Sequence, residues 1–368
     1  MQVLSVSLRD FRGYDRARAA LGAGVTVLWG PNGAGKTNLL EAVYFGCTGH
    51  SCRTANEREL VRFGADTTRV VLEARDESGD HELAVGLTPG EPKRMSIDGA
   101  VVQRLLDAPS RPLVAFFSPD RLELVKGSPA LRRAHTDQFV TALWPARAAT
   151  RRTYNEALAQ RNSLLARLAA GRGARDSLHA WDARLADVGI RLMQDRRAAV
   201  ALISERFHST AGSLGLGDDA AIAYRPRSGV ADAASLAGEF EARHATDIER
   251  RFTTHGPHRD EIAITLNGRA LRAFGSQGQQ RLALLALLFS ERAALTDARA
   301  APPLLLLDDV TSELDAEHRA SLIELLGISP GQAVITTTDP DQIPQVGGAD
   351  VVRLRVRAGQ IYPEMRAA

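Results

Sequence analysis

Gly30-Pro31-Asn32-Gly33-Ala34-Gly35-Lys36-Thr37 is the stretch on which the reading of this 368-residue chain turns. It fits the pattern G-x-x-x-x-G-K-[ST] at every position. Glycines here let successive backbone N–H groups turn inward around phosphate oxygens, where a Cβ would obstruct them. A β-rich run, Val25–Trp29, precedes the loop, and Lys36–Tyr44 reads as a helix whose positive end faces the same anion. Lys36 supplies a mobile charge for the β- and γ-phosphates of a nucleoside triphosphate, and Thr37 a hydroxyl for Mg²⁺. Lysine is otherwise scarce. Among 46 basic residues only Lys36, Lys93 and Lys126 are lysines, so one of them stands where phosphate chemistry wants it.

Two later stretches extend the theme. Leu304–Leu307 followed by Asp308-Asp309 has the form of a buried strand delivering carboxylates to its C-terminal edge. Asp308 would hold Mg²⁺ and Asp309 would polarise an attacking water as general base. Alone, the pattern equally describes a strand end capped by Asp; the upstream loop favours the catalytic reading. Phe274-Gly275-Ser276-Gln277-Gly278-Gln279-Gln280 precedes an apolar helix over about 280–295. A small-residue loop at a helix N-terminus is a second anion-binding device, and also the form of an ordinary capped turn.

Around these stretches the pattern changes twice. Leu4, Val6 and Leu8 alternate onto one face, Val70–Ala74 and His81–Leu87 flank a turn at Ser78–Asp80, and Leu113–Phe117 is strand-like. A mainly β start with a helix laid on it is expected. After Pro129 helix formers dominate: Arg147–Ala170 lacks Gly and Pro, and Gly171, Gly173 and Asp176 offer a stop and a new N-cap. Trp181, Leu185, Val188 and Leu192 then recur at steps of four, three and four, the seam of a second helix. The simplest arrangement is an antiparallel helical hairpin. Strand character returns at Glu261–Leu266, where Asn267-Gly268 is a hairpin turn, and again at Val334–Thr337. The expected division is one lobe from residues 1–128 and 250–368, interrupted by a helical lobe at 129–249.

At this point the residues acquire a family likeness. Ser276-Gln277-Gly278-Gln279 resembles the ABC signature loop, and Asp308-Asp309-Val310-Thr311-Ser312-Glu313-Leu314-Asp315 resembles a Walker B motif continuing into a D-loop. Leu8-Arg9-Asp10-Phe11-Arg12-Gly13-Tyr14, the run from Gly33 through Lys36 to Ala42, Ser118-Pro119-Asp120, the run from Val125 to Pro129, Arg132-Arg133 and Gly256-Pro257-His258-Arg259-Asp260 add to it. Spread from end to end, these stretches resemble the RecF family of recombination mediators, related to SMC proteins.

The resemblance implies an α/β fold, an ABC-type ATPase head of mixed β-sheets and helices carrying an inserted helical lobe. It implies ATP and Mg²⁺ as ligands. Gly30, Pro31, Asn32, Gly33, Ala34, Gly35, Lys36, Thr37 and Asn38 would hold the nucleotide from one copy, and Ser276, Gln277, Gly278 and Gln279 from another. Thr37 and Asp308 would ligate the metal; Lys36 and Asp309 would be catalytic. An ATP-dependent homodimer gripping double-stranded DNA, with the RecR and RecO mediators as partners in recombinase loading at gaps, follows from the same likeness. Three departures stand out. Asp309 occupies a position where ABC transporters carry Glu, and its shorter reach implies slow turnover. The glutamine of a Q-loop is missing from Ser118-Pro119-Asp120, and the switch position falls somewhere in Thr336-Thr337-Thr338-Asp339. Arg53 resembles an arginine that approaches nucleotide in SMC heads, and equally an exposed loop arginine.

Composition bounds the remainder. At 44% hydrophobic and 24% charged, the chain is an ordinary globular protein. No run approaches eighteen apolar residues, so no membrane span is expected. A transport ATPase subunit, coupled to membrane partners, is the main rival, and the long helical insert between the two phosphate-seeking loops counts against it. Arg9 and Asp10 interrupt any signal-like apolar run, so no export signal is expected, and Cys47 and Cys52 match no zinc spacing, so the cytoplasm is the expected compartment. Net charge is only +2, yet Arg147–Thr210 carries twelve Arg against six Asp and Glu, a local +6. This is either a phosphate-tracking surface or a solvated helical face. His255 and His258 flank Gly256-Pro257, either as a metal pair or, better, as a rigid turn orienting a structural histidine. Scattered aromatics offer no stacking platform for single strands.

Overall fold

The computed structural model describes residues 1–108, 111–312, 314–343, 346 and 351–364. Glu313 of the expected D-loop lies outside these residues. The strands are β1 (Gln2–Phe11), β2 (Tyr14–Ala20), β3 (Val25–Trp29), β4 (Thr68–Asp76), β5 (Gly79–Leu87), β6 (Arg94–Ile97), β7 (Ala100–Val102), β8 (Val114–Phe117), β9 (Ala220–Arg225), β10 (Glu261–Leu266), β11 (Arg269–Ala270), β12 (Leu304–Leu307), β13 (Ala333–Thr337), β14 (Val351–Arg357) and β15 (Gln360–Pro363). They form three sheets in two compact units. One unit comprises Met1–Arg121, Ser213–Gly215 and Leu295–Ala368; the other comprises Leu122–Gly212 and Leu216–Ala294.

The first unit holds two six-stranded sheets, ordered β2-β1-β4-β5-β6-β7 and β15-β14-β3-β13-β12-β8. The former is antiparallel throughout. A helix at Lys36–Thr48 shares its core with both: Leu39, Leu40, Val43 and Phe45 cluster with Val6, Leu8, Val70 and Leu72 of one sheet and Leu28, Leu306 and Val334 of the other. This is the β start with a helix laid on it that alternation at Leu4, Val6 and Leu8 foretells.

The second sheet positions the chemistry. Strands β3, β13, β12 and β8 run parallel, with Leu307 opposite Ile335 and Ile335 opposite Val27. Their carboxyl ends therefore coincide, and loops leaving that edge are where ligands bind in such sheets. Leu304–Leu307 is buried on both faces, as a continuous apolar run in a parallel sheet requires.

The second unit contains helices Pro129–Leu143, Ala148–Ala169 and Ser177–Ser213 and the sheet β11-β10-β9. The second and third helices form the expected antiparallel hairpin. Leu164 and Leu165 pack with Leu178, while Tyr154 and Ala157 share a cluster with Leu185, Val188 and Leu192. The sequence division differs from the structure at residues 250–294, which group with the helical unit. Strand β10 is the six-residue ladder partner of β9, and Arg132 holds Glu261 through hydrogen bonds of 3.0 and 3.1 Å. Strand β9 and the helices Ala233–Glu241 and His244–Arg250 carry no periodic signature long enough to read in advance.

Charge in the hairpin is partly structural. Arg161 is fully buried, bonding Asp182 and Asp247 at 2.7 Å each, and Arg196 is buried against Asp137 at 2.7 and 3.0 Å. The two histidines also have structural roles. Gly256 sits at φ +118°, a conformation favouring glycine, and turns His258 so that Nε2–H donates to the Thr253 carbonyl at 2.9 Å. Its Nδ1 then accepts from the Tyr154 hydroxyl at 2.8 Å. Burial pushes the His258 pKa down to about 4. His255 lies 2.6 Å from Glu239.

Candidate nucleotide site

The loop Gly30–Gly35 leaves the carboxyl end of β3 and ends at the N-terminus of the helix Lys36–Thr48. That N-terminus has no side-chain cap and no acidic residue in its first turn, so its N–H groups are open to an anion. Two glycines are required by shape. A Cβ at Gly30, φ +152°, would lie 2.2 Å from the Val356 carbonyl oxygen, and one at Gly35, φ +113°, would lie 2.9 Å from the Tyr14 hydroxyl. Tyr14 in turn donates to the Gly35 carbonyl at 2.9 Å. Pro31, Asn32 and Gly33 are exposed at the tip, and Ala34 is buried.

Lys36 is buried and folds back over the loop, its Nζ donating to the carbonyls of Gly30 at 2.7 Å and Pro31 at 3.1 Å. Burial lowers its pKa, while the carboxylates of Asp309 and Asp308 pull it back up. The ammonium thus sits in a field of two acids, ready to exchange carbonyl partners for phosphate oxygens.

The acids come from the end of β12. Thr37 Oγ1 donates to Asp308 Oδ1 at 2.9 Å, and Thr336 Oγ1 donates to the same oxygen at 2.8 Å. Burial raises the Asp308 pKa against the opposing effect of these two hydroxyls. Asp309 adopts φ +49°, and its N–H donates to Thr336 Oγ1 at 2.8 Å. Its Oδ1 is buried with no hydrogen-bond partner among the described residues, a costly arrangement that marks an acceptor kept for a ligand or water. The Thr37 hydroxyl and Asp308 carboxylate are hard oxygen donors side by side, the set Mg²⁺ takes when phosphate oxygens and waters complete its shell. The residues fit the metal.

An arginine layer lies beside the loop helix. Glu41, fully buried, receives two 2.9 Å hydrogen bonds from Arg12 and one of 2.5 Å from Ser51. Arg53 Nη1 reaches Asn38 Oδ1 at 3.3 Å and Glu41 at 3.5 Å, and its charge lowers the Asp308 pKa. Asn38 and Arg53 are therefore brought to the same edge as Thr37. Arg12, Tyr14, Glu41 and Thr336 had no individual role on sequence grounds. A threonine that bonds both Walker B residues is visible only through strand register, because three threonines stand in a row at 336–338.

Ser276, Gln277, Gly278 and Gln279 are in the other unit. The Gln279 N–H donates to Ser276 Oγ at 3.2 Å, and the Ser276 N–H to Gln279 Oε1 at 2.9 Å. This reciprocal capping box opens the helix Gln277–Arg299. Gln280, buried beneath, bonds the carbonyls of Leu271 and Gly275. Ser276, Gln277 and Gly278 are exposed. Ser118 is buried and Pro119–Leu122 is a short 3-10 turn; nothing there supplies a glutamine.

The chain is similar to known proteins in sequence and in fold. An AAA domain model matches residues 5–91. The chain is 38% identical over 373 residues to the DNA replication and repair protein RecF of Myxococcus xanthus (strain DK1622), covering 98% of this chain and 97% of that one. Against the same protein of Anaeromyxobacter sp. (strain Fw109-5) it is 39% identical over 376 residues, covering 99% of each. A solved recombination mediator protein RecF–ATPrS of the RecFOR pathway superposes with TM-score 0.85 at 25% identity, over 99% of this chain and 98% of that one. An Smc head bound to the C-winged helix domain of ScpA matches in fold, with TM-score 0.61 at 16% identity over 100% and 98%. Among the described residues no helix is long and apolar enough to cross a membrane.

Proposed function

Because this chain belongs to the RecF family of DNA replication and repair proteins, we propose that it is an ATP-dependent clamp on double-stranded DNA. ATP joins two copies head to head, the pair grips duplex DNA, and slow hydrolysis parts them. Nucleotide acts as a switch that favours one assembly state. Mediators of the RecR and RecO kind, and recombinase loading at gaps, are the proposed context, supported by the RecFOR pathway of the solved relative. With DNA as substrate, the cytoplasm is the proposed compartment.

The observation that carries the reading is the parallel-sheet edge where Thr37, Asp308, Thr336 and Asp309 meet, with one Asp309 oxygen buried and unpartnered among the described residues. The loop N–H groups and Lys36 bind the triphosphate. Thr37 and Asp308 would hold Mg²⁺, which when bound neutralises charge on the β- and γ-oxygens. Asp309 orients a water and accepts its proton as the water oxygen bonds to the γ-phosphorus. The bond to the bridging oxygen breaks, giving ADP and phosphate. The shorter reach of Asp compared with Glu supports a low rate. Ser276, exposed at a capped helix start, would contact the γ-phosphate held by a second copy.

Sedimentation with and without ATP and duplex DNA tests this directly. Wild type should shift to a dimer with ATP, and Lys36→Met and Ser276→Arg should each remain monomeric. A monomeric wild type, or variants that assemble normally, would remove the reading.

A further inference from the structure

The outer face of the antiparallel sheet carries a row of arginines set by strand register. Arg16 on β2 is opposite Arg9 on β1, Arg9 is opposite Arg69 on β4, Arg69 is opposite Gly86 on β5, and Gly86 is opposite Arg94 on β6. Residues directly opposite one another point to the same side of a sheet. This side is the one away from Val6, Leu8, Val70 and Leu72, which face the core. At about 4.8 Å between strands, the row runs roughly 19 Å across the sheet.

Four like charges in one rank are unfavourable in isolation, and the local acids do little to offset them. Arg9, Arg69 and Arg94 are 68%, 60% and 89% exposed, and their nearest carboxylates, on Asp10, Glu82 and Glu91, are 3.8, 4.0 and 3.7 Å away. Such exposed, loose pairs contribute little. Arg16 is exposed as well. Gly86 puts no side chain between Arg69 and Arg94, so the rank is unobstructed. The next rank, Arg18-Ser7-Val71-Ala84-Ser96, is mostly small or apolar.

We propose that this rank is a phosphate-backbone track for double-stranded DNA. The proposal rests on the DNA reading above and gives it a surface. Guanidinium forks match phosphate geometry, and a rigid sheet fixes their spacing. A duplex presents one negative charge per roughly 1.7 Å of axis, so a span of this length faces several phosphates at once. Among the described residues no base-reading element accompanies the row, which makes the contact independent of sequence.

The test measures ATP-dependent duplex binding across a salt series, for wild type, for Arg9→Gln/Arg16→Gln/Arg69→Gln/Arg94→Gln, and for a helical-arm variant, Arg167→Gln/Arg172→Gln/Arg175→Gln/Arg184→Gln. Each lost phosphate contact reduces the slope of log affinity against log salt by about 0.9. The sheet variant should lose about 3.6 units of slope and bind at least tenfold more weakly at low salt. Its ATP affinity and ATP-driven dimerisation should match wild type, which also shows that it folds. An unchanged slope in the sheet variant, or a loss confined to the arm variant, would overturn the track. A wild type that fails to bind duplex at all would instead sink the clamp reading.

Discussion

Thr336 donates its hydroxyl hydrogen to Asp308 Oδ1 at 2.8 Å, from a side chain that is itself fully buried. The same hydroxyl oxygen accepts the N–H of Asp309, so one atom sets the position of both acids at the edge of the parallel sheet. Because β13 lies between β3 and β12, Thr336 is the point where the loop strand and the acid strand are linked.

Removing that hydroxyl should therefore impair hydrolysis more than binding. Thr336→Val keeps the shape but leaves Asp308 short of one hydrogen bond and Asp309 free to rotate. ATP turnover should fall on the order of 10- to 100-fold, with nucleotide affinity changed only a few-fold, and Thr336→Ser should restore most of the rate. Single-turnover hydrolysis alongside equilibrium binding separates the two quantities. Equal losses in both would mean that Thr336 serves only to hold the sheet together.

Asp308 makes a second prediction, because burial raises its pKa. A carboxyl whose folded pKa lies above its unfolded value favours the fold when protonated, and that benefit is lost as pH rises past the folded value. The ionised form, which Mg²⁺ binding requires, is thus a stability cost retained for function. Asp308→Asn should raise the nucleotide-free stability by about 1 kcal/mol while abolishing Mg²⁺-dependent turnover. Thermal melts at pH 7 without nucleotide check the sign; a lower melting temperature contradicts it.

His258 gives a pH profile. Its pKa is pushed from 6.5 down to about 4 by burial, so the folded chain holds it neutral. Its contribution is complete above about 6.5 and declines as pH falls toward 4, by up to roughly 3 kcal/mol. His258→Asn should flatten the acid limb of stability measured by urea titration between pH 7 and pH 4. A limb of unchanged steepness would show that other groups govern it.

The parts of this molecule that were legible in its sequence are those where one residue type has no substitute. Gly30 and Gly35 stand where positive φ and close approach exclude a Cβ, and Lys36 and Thr37 follow them at the helix start. Leu304–Leu307 was equally plain, since only a strand covered on both faces is apolar at every position. Pairing across long separations was not legible. The ladder that draws residues 250–294 into the helical unit is formed by β9, whose short run of alanines has no distinctive signal. Charge counting also misled in the hairpin, where Arg161 and Arg196 contribute to a positive total yet are buried against Asp182, Asp247 and Asp137. The arginine rank on the sheet shows the converse, since four residues scattered from 9 to 94 become neighbours only through register.

The central claim is that each nucleotide is enclosed by the loop of one copy and the Ser276 region of another. Mixing two inactive variants tests it most directly. Lys36→Met and Ser276→Arg, each without ATP turnover alone, should together regain activity, because a mixed pair contains one site with an intact loop and an intact signature. Because neither variant pairs with itself, active dimers form only between the two, and one intact site of two in each limits the recovery to about half of the wild-type rate. A mixture no more active than its separate components would contradict the composite site.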